Sequence, residues 1–336
     1  MGSKIIPKTA FISIVIPTYN SGDSLIKTVK SLYEQTYHKD KYEVIVIDDG
    51  STDGTSKFIQ ELQNKYSVNL KYFFQKNKGP AAARNSGINI ASGDIVAFID
   101  SDCIAEKDWI QEISKWYENN RVAGIGGTIK AKPSDSRVGQ YCAYVKMNER
   151  PEIDKTGIVY LVTANASFRK EYLKQIGGFD ERYNFPGGED MDLCHRLRMQ
   201  GYVLKYNRNA EVYNQHKQNL ASLLKTYFNY GKGRSFLTVS RLSTWDLSSM
   251  SGIKSLFYFL KIVFNSILIF MRNIEFFIRF LKIPFKALMY YGEGLIIKDS
   301  IIYASLDYAK ELFFCQGSFV GYIIAKFKGF NRNEYN

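Results

Sequence analysis

Asp100-Ser101-Asp102 sets two carboxylates one residue apart, directly after the apolar run 95–99. That run has the length and β-branched content of a strand buried on both faces, so the acids fall at its carboxyl end. An unpaired buried carboxylate is costly, so the pair is either solvated as a polar turn or neutralised by a cation. Hard divalent cations take oxygen ligands and bridge to phosphates, which makes a metal site holding a phosphorylated ligand the chemically specific reading. The triplet alone leaves the turn and the metal site both open.

Further groups of the same kind lie elsewhere. Thr18-Tyr19-Asn20 follows the apolar run 11–16, and Asp48-Asp49 follows the run 42–47. Three loops leaving one edge of a single sheet would meet, and with Arg84 they would line a crevice of carboxylates, amides and a guanidinium. Such a crevice suits a nucleoside diphosphate with its metal. Later, Pro186-Gly187-Gly188-Glu189-Asp190-Met191-Asp192 precedes a helical pattern over 193–200. Acids at a helix start are favoured by the helix dipole, so Asp190 or Asp192 could simply stabilise that end. Equally, a carboxylate at a glycine-loosened helix start could serve as a general base. His216 follows a short strand pattern at 211–213 and reads either as a structural histidine or as a ligand.

The elements that position these groups alternate. Strands are expected at 11–16, 42–47, 70–74 and 95–99, and helices at 24–37, 56–66 and after Gly79. Ser51, Thr52 or Asp53 could cap the second helix. Such alternation predicts an α/β fold with a mostly parallel sheet and crossover helices. Further on, a helix at 108–119, strands at 122–129 and 158–163, and a helix at 170–176 are expected; 130–157 reads as polar and irregular, a loop or helix near the acceptor.

Several function classes are excluded or disfavoured. No Gly-x-Gly-x-x-Gly follows the first strand, and no Gly-x4-Gly-Lys-Ser/Thr occurs. Cys103, Cys142, Cys194 and Cys315 stand singly, which suits a reducing compartment and offers no zinc site. The amino terminus lacks an apolar core, so no secretory signal is expected.

Pro17-Thr18-Tyr19-Asn20, Asp48-Asp49-Gly50-Ser51, Asn77-Lys78-Gly79 with Ala83-Arg84-Asn85, Asp100-Ser101-Asp102 and Gly188-Glu189-Asp190 together resemble the inverting family 2 glycosyltransferases, of GT-A fold, over roughly residues 11–235. The resemblance implies a nucleotide-diphosphate sugar donor, UDP- or GDP-linked, and a Mn2+ or Mg2+ ion. It implies that Pro17, Tyr19, Asn20 and Asp49 hold the base and nucleoside, and that Gly79, Arg84, Asp100 and Ser101 line the nucleotide-sugar site. Asp102 would bind the metal, with Asp100 and His216 as further ligands, and Arg234 would reach the diphosphate. Asp190 would be the catalytic base, with Gly188 and Glu189 beside the acceptor. The Gln-x-x-Arg-Trp motif of processive members is missing, which implies single transfers.

The net charge of +12 is uneven: from Lys217 onward the chain has 16 Lys+Arg against 7 Asp+Glu. Over 254–286 the basic residues recur at helical spacing between aromatic and aliphatic ones, the pattern of a helix lying in a membrane interface rather than crossing it. A second amphipathic helical pair is expected over 295–328. The expected organisation is therefore a catalytic domain over 1–240 and a basic amphipathic helical region over 241–336. The expected function is a peripheral enzyme at the cytoplasmic face of the cell membrane, moving one sugar to a hydroxyl of a lipid-linked or glycan acceptor; oligomerisation is left open. A polyprenyl-phosphate sugar synthase is the neighbouring alternative. A nucleic-acid-binding protein is disfavoured because the tail aromatics fall inside an apolar arc, and a non-catalytic nucleotide-sugar binder because the acidic set is intact.

Overall fold

The structure, a computed structural model, describes residues 10–65, 69–117, 121–149, 151–214, 219–242 and 283–327. The chain divides into two units, Met1–Asp135 with Cys142–His216 and Ser136–Tyr141 with Lys217–Asn336.

In the first unit, β1 (Ile12–Thr18), α1 (Gly22–Tyr33), β2 (Tyr42–Asp48), α2 (Thr55–Lys65), β3 (Leu70–Phe74), α3 (Pro80–Ile90) and β4 (Ile95–Ile99) alternate as their patterns predict. The expected α/β sheet is present, in the order β3-β2-β1-β4, all parallel. It continues through β9 (Asn165–Arg169), β6 (Val122–Ala131), β10 (Val203–Asn214) and β5 (Cys103–Ala105). Here β9 and β5 run antiparallel to their neighbours, while β6 and β10 are parallel. The chain winds from β1 outward to β3 and then returns to the other side of β1 as β4. This reversal makes the carboxyl ends of β1 and β4 a topological switch point, where open α/β sheets bind ligands.

Close packing explains the small residues of α3. A Cβ on Gly87 would lie 2.4 Å from Val15 Cγ1, so glycine and three alanines let this helix lie flush on β1. The helix over 108–119 is shorter than expected, α4 (Trp109–Ser114), and within the segment read as a loop or helix 137–144 forms α5 (Arg137–Tyr144).

The strand expected at 158–163 is absent. Ile158 instead ends a small hairpin, β7 (Ile153–Asp154) and β8 (Gly157–Ile158), and the true strand is β9, wedged between β4 and β6. All five residues of β9 are buried although three are polar, which hid it from hydrophobic periodicity. Each polar side chain is satisfied. Asn165 accepts from the Trp109 indole and donates to the carbonyls of Thr128 and Ala210; Ser167 accepts from Tyr117; Arg169 donates to the carbonyls of Val122 and Tyr117. The first unit is completed by α6 (Lys170–Gln175) and α7 (Glu189–Met199).

The second unit contains α8 (Leu220–Leu242), α9 (Ile283–Gly292) and α10 (Ile297–Phe327). The pair expected over 295–328 is one helix of 31 residues, since no proline or turn sequence interrupts it. The helix expected over 254–286 lies outside the described residues except for its last positions in α9. No described helix is long and apolar enough to cross a membrane.

Helices α8 and α10 cross with their backbones almost touching. A Cβ on Gly317 would lie 1.8 Å from the Phe228 carbonyl oxygen, and one on Gly231 1.9 Å from that of Phe314. Neither obstacle is a flexible side chain, so the helices must part. Gly317→Val is therefore expected to destabilise this unit by about 3 kcal/mol, read as a lower melting temperature by circular dichroism. Gly292→Ala, where a Cβ meets nothing within 4 Å, is expected to be neutral.

Candidate active site

The predicted loops do meet. At the end of β1, the Asn20 backbone N–H donates to Ser51 Oγ, and the Asn20 side-chain oxygen accepts from the Thr52 N–H, each at 2.8 Å. Asn20 holds a left-handed φ of 50°, a region in which asparagine is enriched, and the bond from Thr52 fixes its side chain there. The Gly22 N–H at the start of α1 donates to Asp53, and Ser101 Oγ donates to Ser21 Oγ at 3.0 Å. Asp53 also accepts from Thr55, so of the three candidate caps for α2 it is the one engaged. The turns after β1, β2 and β4 are thus fastened together at the switch point. Pro17 lies half-buried at the end of β1, and Tyr19 stands 53% exposed at the rim.

Asp49 is buried, and its two oxygens accept from Gln75 Nε2, Lys78 N–H and Gly79 N–H. Its carboxylate shapes the loop that leads into α3. Gly79 opens that helix at φ 93°, and a Cβ there would lie 2.8 Å from the Asn184 backbone, so only glycine fits. Two residues of the next turn then reach across. Asn85 bonds both the N–H and the carbonyl of Phe179, pinning the turn that leads toward α7. Arg84, 5% exposed, donates to Asp100 Oδ1 at 3.2 Å and to Glu189 Oε1 at 2.9 Å.

Arg84 is the centre of the arrangement. One guanidinium joins the acid at the end of β4 to the acid that begins α7. The start of α7 is built by Gly187 and Gly188, at φ 124° and 97°, values that only glycine adopts readily. The Gly187 N–H donates to Glu189 Oε2 at 2.7 Å. No side chain hydrogen-bonds as an N-cap of α7, but Glu189, Asp190 and Asp192 all lie in its first turn, where the helix dipole favours them, and two of them are also paired: Glu189 with Arg84, and Asp192 with Arg196 at 2.8 Å. Asp190 accepts from the adjacent Met191 N–H at 2.8 Å. Desolvation, with the neighbouring Glu189 carboxylate, raises Asp190 to about 7 against the pull of Arg84.

Asp102, beyond the strand end, accepts from Asn214 Nδ2 at 2.9 Å. Asn214 is the last described residue of β10, paired in register with Cys103, so the chain leaves β10 at the acidic turn. His216 follows two residues later and lies outside the described residues. Arg234 falls in the second unit, on the exposed side of α8. Asn214 escaped the sequence reading because a lone asparagine at a strand end carries no signal of its own.

Among the described residues no group of three or more His, Cys, Asp or Glu is gathered as a metal cage. The donor set instead fits an ion held by one or two carboxylates and completed by substrate phosphates and water, the usual arrangement for Mg2+. Buried polar groups also remain for a ligand or water to satisfy: the Thr18 hydroxyl and Arg84 Nε have no partner among the described residues.

Comparison with known proteins agrees with this fold. The family model described as glycosyl transferase family 2 matches residues 13–177, and one described as the N-terminal domain of galactosyltransferase matches residues 155–218. The chain is 30% identical over 245 residues to glycosyltransferase AglE of Haloferax volcanii, covering 72% of this chain and 76% of that one. It is 24% identical over 284 residues to the dolichyl N-acetyl-alpha-D-glucosaminyl phosphate 3-beta-D-2,3-diacetamido-2,3-dideoxy-beta-D-glucuronosyltransferase of Methanococcus voltae, covering 77% of this chain and 83% of that one. Among solved structures, the mannosyltransferase PcManGT of Pyrobaculum calidifontis, in complex with GDP-Man and Mn2+, superposes with a TM-score of 0.62 at 19% identity, covering 94% of this chain and 87% of that one. The chain belongs to glycosyl transferase family 2 and is a glycosyltransferase of GT-A fold.

Proposed function

We propose that this glycosyltransferase moves one sugar, with inversion, from a UDP- or GDP-sugar to a hydroxyl of a lipid-linked or glycan acceptor. We further propose that it does so with Mn2+ or Mg2+, as a peripheral enzyme at the cytoplasmic face of a membrane. The observation that carries this reading is the Arg84 bridge, which joins the strand-end acid Asp100 to the helix-start acid Glu189, the residue next to Asp190. The named acceptor chemistry of the Methanococcus voltae relative, a dolichyl-linked sugar, supports the lipid-linked acceptor. The GDP-Man and Mn2+ of the PcManGT complex support a nucleotide sugar and a divalent metal.

In this mechanism the nucleoside lies along Pro17, Tyr19, Asn20 and Asp49, and the sugar diphosphate along Gly79, Arg84, Asp100 and Ser101. Asp102, with Asp100 and His216, would hold the cation, and Arg234 would add positive charge at the diphosphate. When bound, the cation stabilises negative charge on the leaving diphosphate without a proton donor. Asp190 takes the proton from the acceptor hydroxyl while that oxygen attacks the anomeric carbon from the face opposite the diphosphate. The new C–O bond forms as the old one breaks, the nucleoside diphosphate departs, and the proton passes from Asp190 to water. Gly188 and Glu189 shape the acceptor side. A base near neutrality is matched to a hydroxyl, whereas a polyprenyl-phosphate acceptor is already ionised and needs none.

Titration of the protein with UDP and with GDP, each with Mn2+ and with EDTA, tests the donor site. One nucleotide is expected to bind with metal, and Asp102→Ala is expected to abolish the metal dependence. Binding of neither nucleotide under any condition would sink the proposal.

A further inference from the structure

Helices α9 and α10 carry large apolar side chains on an outer side and a buried ion network on the inner one. On the inner side, α9 contributes Ala287 and Tyr290, both buried, and Lys286, whose ammonium lies 2.7 Å from the Asp307 carboxylate of α10. Asp307 is 2% exposed and also takes the hydroxyls of Tyr141 and Tyr290 and the ammonium of Lys310. These donors hold its carboxyl down at about 2 although burial alone would raise it. On the outer side, Phe285 is 72%, Leu288 65% and Met289 49% exposed, spaced so that they share one face of α9. Ile296 and Ile297, each 63% exposed, and Ile301, 51% exposed, continue that surface into α10.

A helix stable in water buries its apolar stripe and exposes its ions. Here the ion network occupies the inner side and fixes the rotation. Turning α9 to hide Phe285 and Leu288 would draw Lys286 and Tyr290 away from a buried carboxylate, which is strongly unfavourable. Single exposed apolar residues need no explanation, but six large ones on one helical corner do.

The charge of the surrounding chain selects the occupant. Residues 254–299 carry seven Lys and Arg against three Asp and Glu, and although Lys286 is already paired with Asp307 a basic excess remains between long aliphatic and aromatic runs. We propose that the α9–α10 corner is a membrane-docking surface, seating Phe285, Leu288, Met289, Ile296, Ile297 and Ile301 in the interface of an anionic phospholipid bilayer. This rests on the peripheral association in the proposed function and gives it a defined surface. Apolar burial supplies the attraction and the basic chain supplies preference for anionic headgroups.

The test is flotation of the full chain with vesicles of phosphatidylcholine and phosphatidylglycerol, and with pure phosphatidylcholine. The parent is expected to bind the anionic vesicles. Leu288→Ser is expected to weaken partitioning about tenfold, and the F285S/L288S/M289S variant about a hundredfold, with circular dichroism and metal-dependent nucleotide binding unchanged. Undiminished binding by the triple variant would overturn the assignment of this surface. So would loss of binding only when Lys254, Lys261 and Arg272 are made glutamine, an outcome that leaves peripheral association standing. If the parent ignores vesicles and sediments as a dimer that the triple variant splits, the surface joins two copies instead. If the parent ignores vesicles and the variant merely melts lower, the surface is covered by the chain's own residues 243–282. Nucleotide binding reports on the donor site independently of every one of these outcomes.

Discussion

Asp190→Asn is expected to lower kcat roughly 10^2- to 10^4-fold, the range general-base catalysis supplies, while metal-dependent nucleotide binding is retained. The amide keeps the shape of the side chain and the Met191 N–H contact but cannot accept the acceptor's proton. The parent enzyme should also show the base in its pH profile. Desolvation and Glu189 place Asp190 at about 7, and it acts only when ionised. Activity is therefore lost as pH falls below about 7, by about tenfold per unit, and levels off above it. In Asp190→Asn this acidic limb should vanish with the activity. Near-normal transfer by the variant to a hydroxyl acceptor would remove Asp190 from the mechanism. A rate that is scarcely changed with a lipid phosphate as acceptor would instead support the synthase alternative.

How much of this was legible in the sequence depended on what each residue does. The strands β1, β2 and β4 are buried on both faces, chiefly by apolar side chains, so runs such as 42–47 announced them, while β3 at the sheet edge is half exposed. The acids at their ends were legible for the same reason, because a carboxylate directly after such a run has to be solvated, paired or metal-bound. Strand β9 was illegible because Asn165, Ser167 and Arg169 are buried on hydrogen bonds to residues 37 to 56 positions away, which no local pattern encodes. Glu189 was placed beside the acceptor by resemblance alone; that its carboxylate belongs to Arg84, 105 residues earlier, emerges only from the fold. The second unit was legible as basic and amphipathic but not in its rotation. A hydrophobicity pattern gives the apolar face of α9, whereas the side it turns inward is set by Asp307, 17 residues beyond Tyr290.

The Arg84 bridge leads to the other large effect. Arg84→Met removes a buried cation that serves two carboxylates of unequal exposure: the Asp100 side chain is 38% exposed and can be hydrated, but that of Glu189 is 5% exposed and cannot. Breaking such a pair from one side costs roughly 3–5 kcal/mol, so the melting temperature is expected to fall by roughly 6–20 °C. Adding Glu189→Gln removes the stranded charge and should recover much of that stability. It should not recover transfer, because the guanidinium fork that ties the strand-end acid to the helix start is still gone. Arg84→Lys separates charge from geometry, since an ammonium cannot span both carboxylates in the planar fork; it is expected to be more stable than Arg84→Met and almost as inactive. The residual activity of each single variant carries the decisive signature. Arg84 holds the Asp190 carboxyl down, so without it that group titrates higher and the acidic limb moves above pH 7. A limb left in place in Arg84→Met would mean that the guanidinium does not bear on the base, and that its role ends at holding the two acids together.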